Sequence, residues 1–327
     1  MGRYLTRRDT VRASLGIALA SGLKSATAKS EPLVFGDPVG QPGQVFGDGF
    51  LIRHGYATEN TWYLPGYLHS GEDWYATEGD AAGAGVFAAA AGGVVFAGSD
   101  YPGRVVIVQH AHDLFSMYGH LDYALPVAEG DLVARGQLLG NILARTDGRA
   151  PSHLHFEIRT FFITPEVNGN APRYGFACGV NCPPGPGYWP IDAPEHPSAI
   201  GWRNPTHVIA RRAWGESVPA GVEVVVSTMA PDTTSLWSAP GGSGDASTLA
   251  DLPLTAGDTY PLLDIAAGEE DSTGTSAEAY QVWYQIEVEG DPVWVQAAVP
   301  VANDTGADGR PSSVHFDFLP LVIAPGG

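Results

Sequence analysis

The stretch SHLHFEIR, residues 152–159, alternates apolar and polar side chains and sets two histidines one residue apart. Successive side chains on a strand point to opposite faces. The pattern therefore predicts a strand with Leu154, Phe156 and Ile158 packed inward and His153, His155 and Glu157 projecting from the other side. Two imidazoles then stand next to each other at one surface. Such a pair alone fits an ordinary half-exposed strand as well as a metal or catalytic site, so the decision needs partners elsewhere in the chain.

The surrounding sequence reads as β. From Val86 onward the runs VFAAA, GVVFAG, RVVIVQH and LFSMYGHL are short and rich in Val, Ile, Phe and Tyr. They are punctuated by many of the chain's 42 Gly and 26 Pro, which is the texture of strands and turns. Gly92-Gly93 has the composition of a hairpin turn. The segment VAEGDLVARGQLLG, residues 127–140, repeats a glycine turn after a short apolar step, like a hairpin of the biotinyl/lipoyl hammerhead type. No amphipathic helix longer than two turns is expected before residue 206. Residues 29–65, rich in Gly and Pro, read as an extended lead-in that wraps the first domain.

With 327 residues, 44% of them hydrophobic, the chain can bury two cores. Residues 1–28 resemble a twin-arginine export signal: Arg7 and Arg8, a short apolar stretch, then Ala26-Thr27-Ala28 at a small-residue cleavage site. This part holds five of the 17 Lys and Arg and one of the 36 Asp and Glu, so its removal would leave a net charge near -23. Such acidity argues against charge-driven binding to nucleic acid or an anionic membrane. No later segment carries about 18 uninterrupted apolar residues, so no membrane span is expected, and the protein should be exported, extracellular or wall-associated.

Cys178 and Cys182, in CGVNC, are the only cysteines. In an exported protein they suggest a loop-closing disulfide, with a metal site as the alternative. They lie within residues 161–205, so full of Pro, Gly and aromatics that a long ordered loop is expected, of the kind that usually serves function. Beyond Ser217–Gly221 a second β pattern begins, and Arg310 is the only Lys or Arg after Arg212. The expected organisation is all-β: a domain over 29–216 with an insertion at 161–205, then a small β-barrel over 217–327.

The partners of the histidine pair lie upstream. HSGED places His69 and Asp73 four apart, with Gly71 between them giving the backbone freedom to aim both at one point. MYGHLD adds His120 at the end of a strand. His69, Asp73 and His155 supply two imidazoles and a carboxylate, three ligands of the kind a catalytic Zn2+ accepts while a fourth position stays open. The same ligands would also hold Co2+ or Mn2+. His120 and His153 remain to orient a water, take its proton and stabilise a developing oxyanion, which is the equipment of metal-assisted amide hydrolysis.

In this order and with these strands between them, HSGED, YGHLD and HLHFEIR resemble the lysostaphin/LytM-type zinc metallopeptidases, which cleave peptide bonds in bacterial peptidoglycan. The resemblance runs from about Phe46 to Arg159 and resumes at NPTHVI. It implies one Zn2+ per chain held by His69, Asp73 and His155, a catalytic pair in His120 and His153, and peptidoglycan peptides as substrate for a monomer. Two features depart from the family pattern: the insertion before Asn204-Pro205, expected beside the cleft, and DGRAPSHLHF in place of a Ser-Thr-Gly-Pro lead. Some family members have lost ligands and only regulate other wall hydrolases, whereas all five residues are present here.

Tyr63 and Tyr67 could donate to an oxyanion or simply pack with Trp62 and Trp74. His54, His110, His112, His196, His207 and His315 lie outside any motif and read as surface or satisfied core residues. In QVWYQIEVEGDPVWVQ a hairpin turns at Gly290-Asp291 and carries Trp283, Tyr284 and Trp294. This stretch resembles bacterial Src-homology-3-like domains that bind wall peptides, and its aromatics could equally fill a small barrel core. The competing functions are a non-catalytic wall-binding or regulatory protein with a structural metal, and a zinc peptidase acting on ordinary proteins.

Overall fold

The strand expected at residues 152–159 forms over Leu154–Arg159 and lies in the interior of the main sheet. The computed structural model describes residues 33–40, 47, 49–59, 64–99, 103–146, 148, 150–175, 180–214, 217–227, 230–241, 246–271 and 282–299, with short strands at 316–317 and 321–322. The export signal and His315 lie outside the described residues.

In chain order the first elements are β1 (Val39–Gly40), β2 (Phe50–His54), β3 (Tyr67–His69), β4 (Glu72–Ala76), β5 (Gly85–Phe87), β6 (Gly92–Gly98) and β7 (Arg104–Ala111). Then come β8 (Leu114–Leu121), β9 (Leu132–Val133), β10 (Leu138–Asn141), β11 (Leu154–Arg159), β12 (Tyr188–Pro190), α1 (Pro197–Ile200), β13 (Trp202–Arg203) and α2 (Pro205–Arg211). The main sheet runs β2-β4-β11-β8-β7-β6-β9, with β13 added at the end of β11, and its pairs are antiparallel. A smaller sheet is ordered β1-β5-β10, and β12 pairs with β3.

Alternation on β7 and β8 distributes their apolar residues between two cores. Val106, Val108, Leu114 and Tyr118 join the principal cluster, while Val105, Ile107, Phe115 and Met117 pack on the reverse face against Phe162, at the start of the insertion. The sheet is thus covered on both sides, and every residue of β11 is buried. The polar face read from SHLHFEIR is therefore an interior and not a surface. Its roof is the insertion: Trp189 and Trp202 are fully buried there, with ring centroids 5.7 Å apart.

Three expectations are corrected. Gly92 and Gly93 form no turn but open β6, because a Cβ on Gly92 would lie 2.4 Å from the Gln109 carbonyl oxygen and the neighbouring strand leaves no space for one. The lead-in is no mere wrapping, since Phe35, Val39, Phe50, Ile52 and Tyr56 belong to the core and β2 is a strand of the main sheet. Between β18 (Val282–Val288) and β19 (Asp291–Val299) the turn residues are Glu289 and Gly290, both with positive φ, 54° and 92°. That pair of positive angles is what a two-residue hairpin loop needs to match strand twist.

The second sheet consists of β14 (Glu223–Val225), β15 (Thr233–Trp237), β16 (Thr248–Pro253), β17 (Thr259–Ala267), β18, β19, β20 (Phe316–Asp317) and β21 (Leu321–Val322). Its order is β16-β15-β19-β18-β17-β14-β21, with β20 on β19. Val224, Tyr284, Ile286 and Val295 form its own core, and Trp283 is also buried, edge-on to Trp237. Two of the three hairpin aromatics therefore pack inward. Helix α2 joins the two sheets: Arg212 makes a two-pronged ion pair with Glu270, and the Asn204 N–H donates to the Glu270 carbonyl.

Candidate metal centre

Strand pairing brings the sequence-predicted residues together. β11 lies between β4 and β8, so His155 sits opposite Asp73 on one side and Gly119 on the other. The absence of a side chain at Gly119 makes room for the imidazole, since a Cβ there would already touch His155 at 3.4 Å. β3 ends at His69, and the sharp passage through Ser70-Gly71 turns the chain into β4 and Asp73. Gly71 is not in the left-handed region. What it supplies is space: a Cβ would lie 2.3 Å from the Phe156 carbonyl oxygen and 2.9 Å from Glu157 Cγ.

Three donor atoms converge. His69 Nε2, Asp73 Oδ1 and His155 Nδ1 form a triangle with sides of 3.3, 3.0 and 3.0 Å. A tetrahedral zinc with bonds of about 2.0–2.1 Å spaces its ligand atoms roughly 3.3 Å apart, so this donor set fits such an ion in both chemistry and spacing. The other nitrogen of His155, Nε2, lies 3.0 Å from Glu157 Oε1. Donation of that N–H to the carboxylate leaves the Nδ1 lone pair for the triangle, the arrangement by which outer carboxylates orient metal-binding imidazoles. Glu157 is itself held by Ser70 Oγ at 2.7 Å and by the Trp202 indole N–H at 3.0 Å, with Arg159 3.5 Å away.

The electrostatics follow from burial and neighbours. Burial pushes His69 down to about 4. It would raise Asp73, but the imidazoles of His69 and His153 outweigh it and hold the carboxyl well below the usual range. For His155 burial acts downward and is overcome by the hydrogen bonds to Asp73 and Glu157, which raise it to about 9, so a metal binding at Nδ1 would displace the proton that Nδ1 shares with Asp73. Its basicity is high for an imidazole, as expected where two carboxylates share it.

His153 and His120 flank the triangle. His153 donates Nδ1–H to the Pro151 carbonyl at 2.8 Å, which turns its Nε2 towards Asp73 Oδ1 at 3.9 Å. Tyr75 stacks on its ring at 4.5 Å, and burial lowers its pKa, so the imidazole is neutral with a free lone pair on the site side. His120 meets His153 edge to face at 4.7 Å and adopts φ 61°, a backbone conformation uncommon for non-glycine residues.

Tyr67 is half-buried at the start of β3, and Tyr63 lies outside the described residues. The insertion supplies a tyrosine instead: β12 pairs with β3 so that Tyr188 faces His69, with ring centroids 5.2 Å apart. Arg159, fully buried, fastens this segment by donating to the carbonyls of Pro183 and Pro184. Cys182 in the same segment is disulfide-bonded, and Cys178 lies outside the described residues.

Two residues of the centre escaped the sequence reading. Glu157 was detectable, because alternation puts it on the face of His155. His54 was not: it is a core residue, as one of its two readings had it, but its partner is Asp73, and His54, His69 and Asp73 also form a group whose ligand atoms lie within 4.8 Å of one another. His110, His196 and His207 do make ordinary hydrogen bonds, to Ala91 and Ser116, to Ser198, and to Glu269.

Two imidazoles and a carboxylate meeting inside an antiparallel β domain form a donor set that could hold a divalent metal. Residues 67–171 match the model of Peptidase family M23, a span that includes all five sequence-predicted residues. No curated protein matches the chain. Among solved structures, the chain is similar to lysostaphin from Staphylococcus simulans, with 14% identity over 84% of this chain and 96% of that one and a TM-score of 0.34. It is also similar to the catalytic domain of the prophage-encoded M23 protein EnpA from Enterococcus faecalis, at 26% identity, 38% and 87% coverage and a TM-score of 0.30. A zinc-containing peptidase from Vibrio cholerae is similar at 28% identity, 39% and 37% coverage and a TM-score of 0.28.

Proposed function

We propose that the protein is an exported zinc endopeptidase that hydrolyses peptide bonds of bacterial peptidoglycan, with the metal held by His69, Asp73 and His155. The observation that carries this reading is the triangle of donor atoms within a segment that matches Peptidase family M23. Bound zinc supplies Lewis acidity towards a water molecule and the scissile carbonyl. Neutral His153 takes a proton from the attacking water on Nε2 as the water oxygen bonds to the carbonyl carbon. His120, edge-on to His153, donates a hydrogen bond to the oxygen on which negative charge develops. As the C–N bond breaks, a proton passes from the imidazole pair to the leaving nitrogen, and both histidines return to their starting states. The export signal read in residues 1–28 fits a substrate outside the cytoplasm. In this reading residues 217–327 form a Src-homology-3-like accessory domain that binds the wall.

The test is release of free amino groups from purified peptidoglycan by the protein. We expect cleavage that a chelator abolishes and added zinc restores, with casein left intact. Cleavage that survives complete metal removal contradicts the metallopeptidase reading, and zinc-dependent cleavage of casein alone contradicts the wall substrate.

A further inference from the structure

A fourth buried imidazole touches the centre without a place in the mechanism. His54 ends β2, which runs alongside β4 with Ile52 opposite Trp74 and then, after a one-residue slip, His54 opposite Asp73. The slip is a bulge at Arg53, and bulges re-aim the side chains that follow them. Here the bulge puts His54 Nδ1 3.4 Å from Asp73 Oδ2, the carboxylate oxygen outside the donor triangle.

Two arrangements are open to such an imidazole: a further ligand, or a support for one. Ring geometry decides between them. An imidazole binds a metal in its ring plane, along a nitrogen lone pair. The rings of His54 and His69 are stacked with centroids 4.1 Å apart and only 11° from parallel, so their planes do not meet within bonding distance of either ring. The His155 ring stands 66° from that of His69 and its Nδ1 comes within 3.0 Å of His69 Nε2. His69 can share an ion with His155 and not with His54.

We propose that His54 is a positioning residue for the metal centre: its Nδ1–H holds Asp73 Oδ2, so that Oδ1 stays in the triangle, and its ring backs that of His69. This rests on the assignment of His69, Asp73 and His155 as ligands. Outer partners of metal ligands typically contribute about 10–100-fold to metal affinity, and His54 is expected to fall in that range.

The experiment is zinc affinity by chelator competition for the wild type, His54→Asn and His54→Phe, with the absorption spectrum of the cobalt-substituted forms. Asparagine keeps a donor near the Nδ1 position, and phenylalanine keeps the stack but no donor. The expected result is near-wild-type affinity for His54→Asn, a 10–100-fold loss for His54→Phe, and a cobalt spectrum unchanged in both. Full affinity in His54→Phe would reduce the residue to packing, and a changed coordination spectrum in His54→Asn would make it a ligand; either overturns the proposal. A wild type that binds no zinc would instead remove the ligand assignment beneath it.

Discussion

His110 illustrates how a single half-buried residue ties stability to pH. One ring nitrogen meets the Ala91 carbonyl at 2.9 Å and the other the Ser116 hydroxyl at 2.7 Å. Ser116 and Tyr118 share a hydrogen bond at 2.8 Å, and Tyr118 accepts from the Ala89 N–H at 2.7 Å. The His110 Nδ1–H faces the Ala91 carbonyl, and Ser116 donates to Tyr118. Burial lowers the imidazole to about 4, with the Arg212 charge acting in the same direction against the Ala91 hydrogen bond. With the folded value below the unfolded value of about 6.5, the unfolded chain binds the extra proton first. Stability is therefore unaffected by this group above about pH 7 and falls as pH drops through 6.5 towards 4. Replacing His110 by Gln removes this dependence. Denaturant unfolding at pH 7.5 and pH 5 should show the wild type losing about 1–2 kcal/mol more than His110→Gln, and equal losses in both would contradict the neutral-imidazole account.

Among the elements, the tight passage from β3 to β4 controls the centre most directly. Gly71 lies against β11 so closely that any side chain must push the two apart. Gly71→Ala is expected to cost about 1–3 kcal/mol, as overpacking does, and to separate His69 and Asp73 from His155. Thermal melts and zinc binding measured together test this, and a variant as stable as the wild type with zinc binding intact would contradict it. The sequence reading placed Gly71 correctly and for the wrong reason, because a motif shows that a glycine is present and not which neighbour's backbone excludes a Cβ. β11, β7 and β8 were legible because alternation and Val/Ile content are local signals. His54 was not, since its role depends on a bulge and on a pairing with β4 that no local pattern encodes. For the insertion, Pro, Gly and aromatics suggested an ordered loop beside the cleft, while the long-range packing of Trp189 and Arg159 that buries part of it carries no local signal.

For the whole molecule, the main sheet and the short β3–β12 pair bring together the proposed ligand and catalytic residues from β3, β4, β8, β11 and the approach to β11. Within residues 153–155 we propose a division of labour: His155 holds metal with its Nδ1 lone pair, and His153, turned by the Pro151 carbonyl, works on the substrate side. The measurement that tests it most directly is zinc content per chain together with peptidoglycan hydrolysis for the wild type, His153→Ala and His155→Ala. The account predicts one zinc in the wild type and in His153→Ala, little or none in His155→Ala, and hydrolysis by the wild type alone. Stoichiometric zinc in His155→Ala, or hydrolysis undiminished in His153→Ala, would contradict it.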